Sequence, residues 1–345
     1  MRLAVFFIKR GFHFSTRCVI IAENGVTRVL TVVPDYYAAF RCIGGGCRHN
    51  CCIGWEIDID ETALTRYRSL EEPWRSRMEQ CVDTTEAPHF RLGQDERCPF
   101  LNNDHLCEIQ RAFGEDYLCD ICREHPRFHN ELPDRIESGV GLCCEAAAEL
   151  VLGKRETTVL VGAAPSEDEL LTLRDTLFAL LQDRTRSVPE RCDAVLAQCR
   201  TAMPQVTPPE WAQVLLSLER LDPAWGALLQ RLQAEWKQAD VVGFDRAMAE
   251  RQTEYEQWLV YLIYRHFANA TDPRDAAARA CFAVLGYTVL HALGAVLWTA
   301  NGEFSFEQQC ELAQSFSAEL EYSDENLYIL WEMMEGAYYG GCGNR

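Results

Sequence analysis

The chain has 345 residues, of which 48% are hydrophobic, so it is long enough to bury a large core and to form two domains. It carries 52 acidic against 33 basic residues, which gives a formal net charge of −19. This charge argues against non-specific binding to nucleic acid, because that binding needs clustered Lys and Arg. It suits a basic partner, or it simply keeps the protein soluble.

Residues 1–33 are predicted to be an N-terminal extension that is not tied to the motifs that follow. Asn24-Gly25 favours the turn of a short β-hairpin, and an extension from an upstream start codon fits the segment equally well. Lys9 and Arg10 interrupt the apolar start, and no small-residue cleavage site follows. We therefore expect no secretory signal peptide.

Residues 34–152 hold eleven of the 17 cysteines and sustain no long helical period. Such a texture is typical of loops held together by metal ligation rather than by a large apolar core. A short helix is predicted after Asp60, which is a candidate N-cap, and extends to about Leu70. We interpret this region as a cysteine-rich metal-binding domain.

Residues 153–345 are predicted to form a helical domain. Capping boxes at Ser166, Thr207 and Ser305 begin three helices, and Asp222-Pro223 begins another. The expected fold class is therefore mainly α, with a cysteine-rich, loop-rich metal-binding N-terminal region followed by a helical C-terminal domain.

The segment from Cys281 to Ala300 contains no charged residue and is long enough to span a bilayer. It lacks a flanking Lys/Arg cluster, and it contains His291 and two glycines. A helical domain needs a central buried helix. We predict that this segment is a core helix, and we expect no membrane partner.

The cysteines as a whole point to a reduced, cytoplasmic protein. At about 5% of residues they are sparser than in small disulfide scaffolds. Clustered reduced thiols indicate metal or redox chemistry. The alternative is that they are small buried hydrophobic residues.

The first cluster places four thiols within eleven residues, at Cys42, Cys47, Cys51 and Cys52. Three glycines follow Ile43 and allow a tight loop. Thiolates are preferred ligands of zinc and iron–sulfur centres. Because adjacent side chains point in different directions, Cys51 and Cys52 either serve two centres or include only one ligand.

The second group is more widely spaced and comprises Cys98, Cys107, Cys119, Cys122, Cys143 and Cys144. Arg123 stands where a c-type haem site needs histidine, and no βαβ context supports a thioredoxin-like site. Gly54 replaces the third cysteine of the Cys-x3-Cys-x2-Cys spacing found in radical enzymes that cleave S-adenosylmethionine. No Gly-x-Gly-x-x-Gly motif for a dinucleotide is visible. Metal ligation is therefore the interpretation that remains for these cysteines.

The motifs from Tyr36 to Ala147 resemble those of the flagellin lysine-N-methylases and of a wider group of zinc- or iron-chelating proteins with a Cys-Cys pair. The segments that carry the resemblance are Tyr36-x3-Phe40-x-Cys42, Cys47-x3-Cys51-Cys52-x-Gly54-Trp55, Cys98-Pro-Phe-Leu101, Leu106-Cys107-x-Ile109-Gln110, Cys122-Arg-Glu-His-Pro-Arg127 and Leu142-Cys143-x-Glu145-Ala146-Ala147. A weaker element follows at Glu319-x-Glu321-Tyr322-Ser323-x-Glu325-Asn326-Leu327.

The resemblance implies methyl transfer from S-adenosylmethionine to lysine side chains of flagellin, with an iron–sulfur cluster, expected to be 4Fe–4S, and zinc as the alternative metal. Cys119 and Cys144 stand outside the shared pattern. The metal ligands that the resemblance implies are Cys42, Cys47, Cys51, Cys52, Cys98, Cys107, Cys122 and Cys143.

Lysine methylation needs a neutral amine, so a base or a desolvating site is required. The candidate bases are Glu145, Asp60, Tyr67 and His125, each with a structural alternative, and the binding site of S-adenosylmethionine stays open. Two rival hypotheses remain. The protein is either a non-enzymatic zinc- or iron-chelating or redox module, or an interaction protein that docks through its helical part.

Overall fold

The computed structural model describes residues 21–23, 26–28, 30–85, 87–163 and 168–339. Most of these residues are helical, which confirms the expectation of a mainly α protein. The Asn24-Gly25 turn, Ser166 and residues 1–20 lie outside the described residues. The α-helices are α1 (Glu61–Arg68), α2 (Trp74–Cys81), α3 (Glu108–Phe113), α4 (Asp120–Glu124), α5 (Glu145–Leu152), α6 (Glu169–Leu181), α7 (Val188–Gln198), α8 (Pro208–Ser217), α9 (Pro223–Glu235), α10 (Val241–Ala247), α11 (Gln252–His266), α12 (Pro273–Asn301), α13 (Phe306–Phe316) and α14 (Asp324–Glu335).

A four-stranded sheet, which the sequence did not predict, lies in the N-terminal part in the order β6-β7-β3-β8. Strand β3 is parallel to β7 and antiparallel to β8. Residues 30–33, which the sequence assigned to the N-terminal extension, therefore belong to the sheet. The strands are β1 (Ile21–Glu23), β2 (Val26–Arg28), β3 (Leu30–Pro34), β4 (Val82–Asp83), β5 (His89–Phe90), β6 (Arg127–Glu131), β7 (Arg135–Val140) and β8 (Leu160–Val161).

The cysteine-rich region has a small apolar core of its own, built from short elements between Ile57 and Cys119. Phe90 and Phe100 pack edge to face at its centre, with ring centroids 5.3 Å apart. The Asp60 side chain caps α1 by accepting a hydrogen bond from the Ala63 backbone N–H, which confirms the predicted cap.

The helical part is organised around α11 and α12. Every residue of α11 from Glu254 to His266 is buried. Among the described residues, α12 is the one helix whose length and composition would allow it to cross a membrane, and 78% of its most apolar window is buried inside the protein. It has the place predicted for it, at the centre of a helical core.

Several local start signals are confirmed. Capping boxes at Thr207 and Ser305 begin α8 and α13, and Asp222 caps α9. Helix α6 begins after Asp168, whose carboxylate accepts from the backbone N–H groups of Leu170 and Leu171.

The larger core joins the sheet to the helices. It includes Tyr36, Phe40 and Leu142 from the cysteine-rich region together with residues of α6 to α14. Arg174 on α6 forms a fully buried ion pair with Glu137 on β7. The sheet therefore packs against the helical part, whereas the small core of the cysteine-rich region forms a separate cluster.

Candidate metal centre

The first cysteine loop turns back towards the loop around Leu106. Gly44 has a positive φ of 55°, which favours glycine, and a Cβ on Gly45 would lie only 2.5 Å from the Asp104 carbonyl oxygen. The Gly44 backbone N–H donates to the Cys42 sulfur over 3.4 Å. The glycines thus permit a close approach that larger residues would block.

Cys51 and Cys52 hydrogen-bond to each other through their side chains. This bond and burial raise the pKa of Cys52, and the thiols of Cys98 and Cys107 add to the rise. The same bond lowers the pKa of Cys51 to about 7. The Cys98 backbone N–H donates to the Cys52 carbonyl over 2.9 Å, which ties the two cysteine segments together.

Six cysteines lie in or against the small core, and we call five of them, all but Cys81, the inner thiol group. Burial raises the pKa of Cys98 to about 11, with smaller contributions from Cys107 and Cys119. Cys122 donates a hydrogen bond to Cys119, and this bond, followed by burial, raises the pKa of Cys122. The members of this group are Cys52, Cys98, Cys107, Cys119 and Cys122.

Four thiols are linked to the start of α5, and we call them the outer thiol group: Cys144 at the N-cap, Cys47 beside Glu145, and Cys51 and Cys42, which raise the pKa of Cys144. Burial raises the pKa of Cys144, with further contributions from Cys51 and Cys42. Burial also raises the pKa of Cys47 to about 12, and Cys144 is among the smaller causes.

The adjacent cysteines 143 and 144 point in different directions. Cys143 hydrogen-bonds to Tyr322 and lies near Arg265, both of the helical part, and its carbonyl accepts from Gln314 over 3.0 Å. Cys144 instead faces the outer thiol group. Cys119 and Cys144, which stand outside the family pattern, therefore belong to the inner and the outer thiol group respectively.

The donor set fits a thiolate-bound metal in its chemistry. Among the described residues, no three His, Cys, Asp or Glu side chains are placed closely enough to hold one metal ion in common. The thiols in and against the small core are nevertheless soft donors of the kind that zinc and iron–sulfur centres prefer. The hydroxyl of Tyr67, beside that group, is buried and has no hydrogen-bond partner in the described part of the chain. The assignment of the eight cysteines as metal ligands remains a prediction.

Glu145 links the outer thiol group to the helical part. Its carboxylate accepts from the Arg48 side chain and backbone, each over 2.8 Å, and lies 3.5 Å from the Cys47 sulfur. Arg48 also pairs with Glu311 on α13 over 2.8 Å. Burial alone would raise the pKa of Glu145, but the hydrogen bonds from Arg48 outweigh it and lower the pKa.

The other candidate bases are placed differently. Asp60 accepts from the backbone of both Ala63 and Asp120, so it caps α1 and supports the start of α4. His125 lies against Trp55, and burial lowers its pKa to about 4. Tyr67 is buried beside the inner thiol group.

A buried polar network in the helical part was not found from the sequence. The Tyr261 hydroxyl donates to Glu321 and accepts from Arg265, whereas His266 contacts the same Glu321 carboxylate over 2.7 Å. Burial would raise the pKa of Glu321, but Arg265 and His266 lower it below its ordinary value. Glu321 ends a π-helix, Ser317–Glu321, of the kind often found at functional sites. The sequence element Glu319 to Leu327 was the available signal.

Comparison with known proteins points to one class. Residues 208–340 match the family model of the FliB lysine N-methylase C-terminal domain. These residues include the π-helix and Tyr322, and they follow the thiol groups in the chain. The match supports the resemblance that the N-terminal motifs predicted, to the flagellin lysine-N-methylase family.

The individual relatives are bacterial. The lysine-N-methylases of Salmonella typhimurium and Salmonella choleraesuis are each 25% identical over 134 residues, which cover 37% of this chain and 33% of the relative. The flagellar biosynthetic protein FliU of Salmonella muenchen is 25% identical over 134 residues, 37% of this chain and 79% of its own. The matched segment thus spans about one third of the two lysine-N-methylases. No solved structure matches the chain.

Proposed function

We propose that this protein is a cytoplasmic lysine N-methyltransferase that acts on flagellin and uses S-adenosylmethionine as its methyl donor. The match of residues 208–340 to a lysine N-methylase domain carries this proposal. The cysteine motifs from Tyr36 to Ala147 support it from the other half of the chain. The name of the FliU relative supports a flagellar substrate.

We propose that the thiols hold an iron–sulfur cluster, with 4Fe–4S as the expected type and zinc as the alternative. The inner thiol group would supply Cys52, Cys98, Cys107 and Cys122. A bound metal would cross-link loops that bury little apolar surface. Buried thiols with raised pKa values must lose protons to become ligands, so we expect metal binding to release protons.

Among the candidate bases we place Glu145 first. A lysine must lose its proton before it can accept a methyl group. Glu145 holds an ionised carboxylate beside the outer thiol group, where it would attract an ammonium group. Glu145 is placed first for its contact with Cys47 and not for its proton affinity, because hydrogen bonds from Arg48 lower its pKa and make its carboxylate a weak base.

The test is to incubate anaerobically purified protein with flagellin and S-adenosylmethionine and to measure the mass of flagellin. We expect additions of methyl groups on lysine. Glu145→Gln should lower the methylation rate by about 100-fold if the carboxylate acts as a base. Glu149→Gln, one turn further along α5 and exposed, is the matched control. Unmodified flagellin under both aerobic and anaerobic conditions would exclude the activity.

The second candidate function is a non-enzymatic zinc- or iron-chelating or redox module. The thiols support it as well as they support the enzyme, because they need no methyl donor. Zinc in the isolated protein, without visible absorption after anaerobic preparation, would favour this module. Iron together with labile sulfide would favour the enzyme.

A further inference from the structure

The hydroxyl of Tyr67 is an unpaired polar group in the small core. Tyr67 lies on α1 with only 1% of its surface exposed, and its ring packs near Phe90 at a centroid distance of 6.2 Å. Its hydroxyl has no hydrogen-bond partner among the described residues. Leaving a buried donor unpaired costs about 1–3 kcal/mol. A native protein usually compensates for such a group with a ligand, an ion or a water.

Tyr67 shares the small core with Cys98 and Cys119, and Cys107 and Cys122 pack against the same core. Besides burial, the causes that raise its pKa are Cys119, Cys122, Cys107 and Asp60. Asp60 accepts from the backbone N–H groups of Ala63 and Asp120 over 2.8 and 2.9 Å, so its oxygens are already engaged. Sulfur atoms are acceptors that the same small core offers, because Cys98 and Cys119 belong to it and Cys107 and Cys122 pack against it.

We propose that Tyr67 is a positioning residue whose hydroxyl donates a hydrogen bond to a metal-bound thiolate of the inner thiol group. The inference rests on the metal part of the proposed function. A neutral thiol is a weak acceptor, whereas a metal-bound thiolate carries negative charge and accepts a charge-assisted hydrogen bond. Partners of this kind orient the ligands of a metal and tune its properties.

The experiment uses Co²⁺ as the probe, because its bonds to thiolates give a charge-transfer absorption band. The reduced full-length protein is titrated with Co²⁺ under nitrogen, and the same is done for Tyr67→Phe and Tyr117→Phe. Tyr117 is the matched control because it packs at the rim of the same core, stacked on Phe113. We expect Tyr67→Phe to bind Co²⁺ about tenfold more weakly. Its band should move to longer wavelength, since the sulfur loses a hydrogen bond. Tyr117→Phe should behave as wild type.

Three results would overturn the inference: no Co²⁺ binding by wild type, equal affinity in Tyr67→Phe, or weaker binding with an unshifted band, which would indicate a packing defect. Methylation of flagellin by the native anaerobic preparation is measured in parallel. Methylation with an unaltered Tyr67→Phe titration would leave the proposed enzyme standing without this residue role. The reverse pattern would retain the role of Tyr67 and exclude the enzyme.

Discussion

The Nε2 atom of His266 lies 2.7 Å from Oε2 of Glu321, inside the helical core. Glu321 also receives a hydrogen bond from Tyr261 and pairs with Arg265 over 3.4 Å. One carboxylate therefore satisfies three polar side chains of α11. This network lies in the segment that matches the lysine N-methylase domain.

Replacing Glu321 should destabilise the fold strongly. Glu321→Gln leaves the buried charge of Arg265 without its partner, and such losses cost about 3–5 kcal/mol. Glu332→Gln on α14 is the control, because Glu332 is exposed and its loss should change the free energy of unfolding by less than about 0.5 kcal/mol. Urea denaturation followed by circular dichroism measures both. Equal stabilities would show that Glu321 does not hold the network together.

We expect position 141 to tolerate no residue larger than glycine, because Tyr322 occupies the space beside it. A Cβ at this position would lie 2.1 Å from the Tyr322 hydroxyl oxygen and 2.9 Å from Nη1 of Arg265. Gly141→Ala should therefore displace Tyr322 from Cys143 and lower the free energy of unfolding by about 1–3 kcal/mol. Gly336→Ala meets nothing within 4 Å and should be neutral or slightly stabilising. A fully stable Gly141→Ala protein would contradict this packing.

The stability of the protein should fall in mild acid because of His125. Burial lowers the pKa of this histidine from 6.5 to about 4, so the folded protein favours the neutral ring. Its contribution is fully present above pH 6.5 and is lost progressively as the pH falls from 6.5 to about 4, so about 2–3 kcal/mol is lost by pH 4.5. Denaturant unfolding at pH 7.5 and 4.5 should show this loss. The loss should shrink in His125→Gln and persist in His49→Gln, whose histidine is exposed. An unchanged loss in His125→Gln would assign it to other groups.

Cys51 should be the thiol that reacts at neutral pH. It is exposed, and the hydrogen bond from Cys52 lowers its pKa to about 7. Iodoacetamide labelling of the reduced, metal-free protein should show a midpoint near pH 7 for the Cys51 peptide, since the thiolate is the nucleophile. Cys52→Ala should shift that midpoint upward. The buried thiols of Cys192, Cys199, Cys281 and Cys310 should stay unlabelled until the protein unfolds. Mass spectrometry of the peptides gives each rate.

Helix starts and the central helix could be predicted from the sequence because their causes are local. The side chains that cap α1, α8, α9 and α13 bind backbone groups two or three residues away. The run from Cys281 to Ala300 contains no charged residue, and this local composition is sufficient to predict that it is buried. The same holds for the first cysteine loop, where the cluster of thiols and glycines lies within a dozen residues.

The sheet and the arrangement of the thiols required the tertiary structure. Strand β3 pairs with β7, about a hundred residues later in the chain, and no local pattern specifies that partner. Spacing alone did not show that Cys51 and Cys52 belong to different thiol groups. It also did not predict that Cys119 and Cys144 belong to these groups.

Residue types and local spacing by themselves determined the helical character of the C-terminal part and the resemblance to the lysine N-methylases, and they predict a metal centre bound by thiolates. Only the tertiary structure decided that Cys143 faces Tyr322 while Cys144 faces the outer thiol group, and that Tyr67 lies unpaired beside the inner one. The physical reason is the separation along the chain of the residues that make each contact. A capping bond joins neighbours in the chain, whereas these contacts depend on how separate elements pack together.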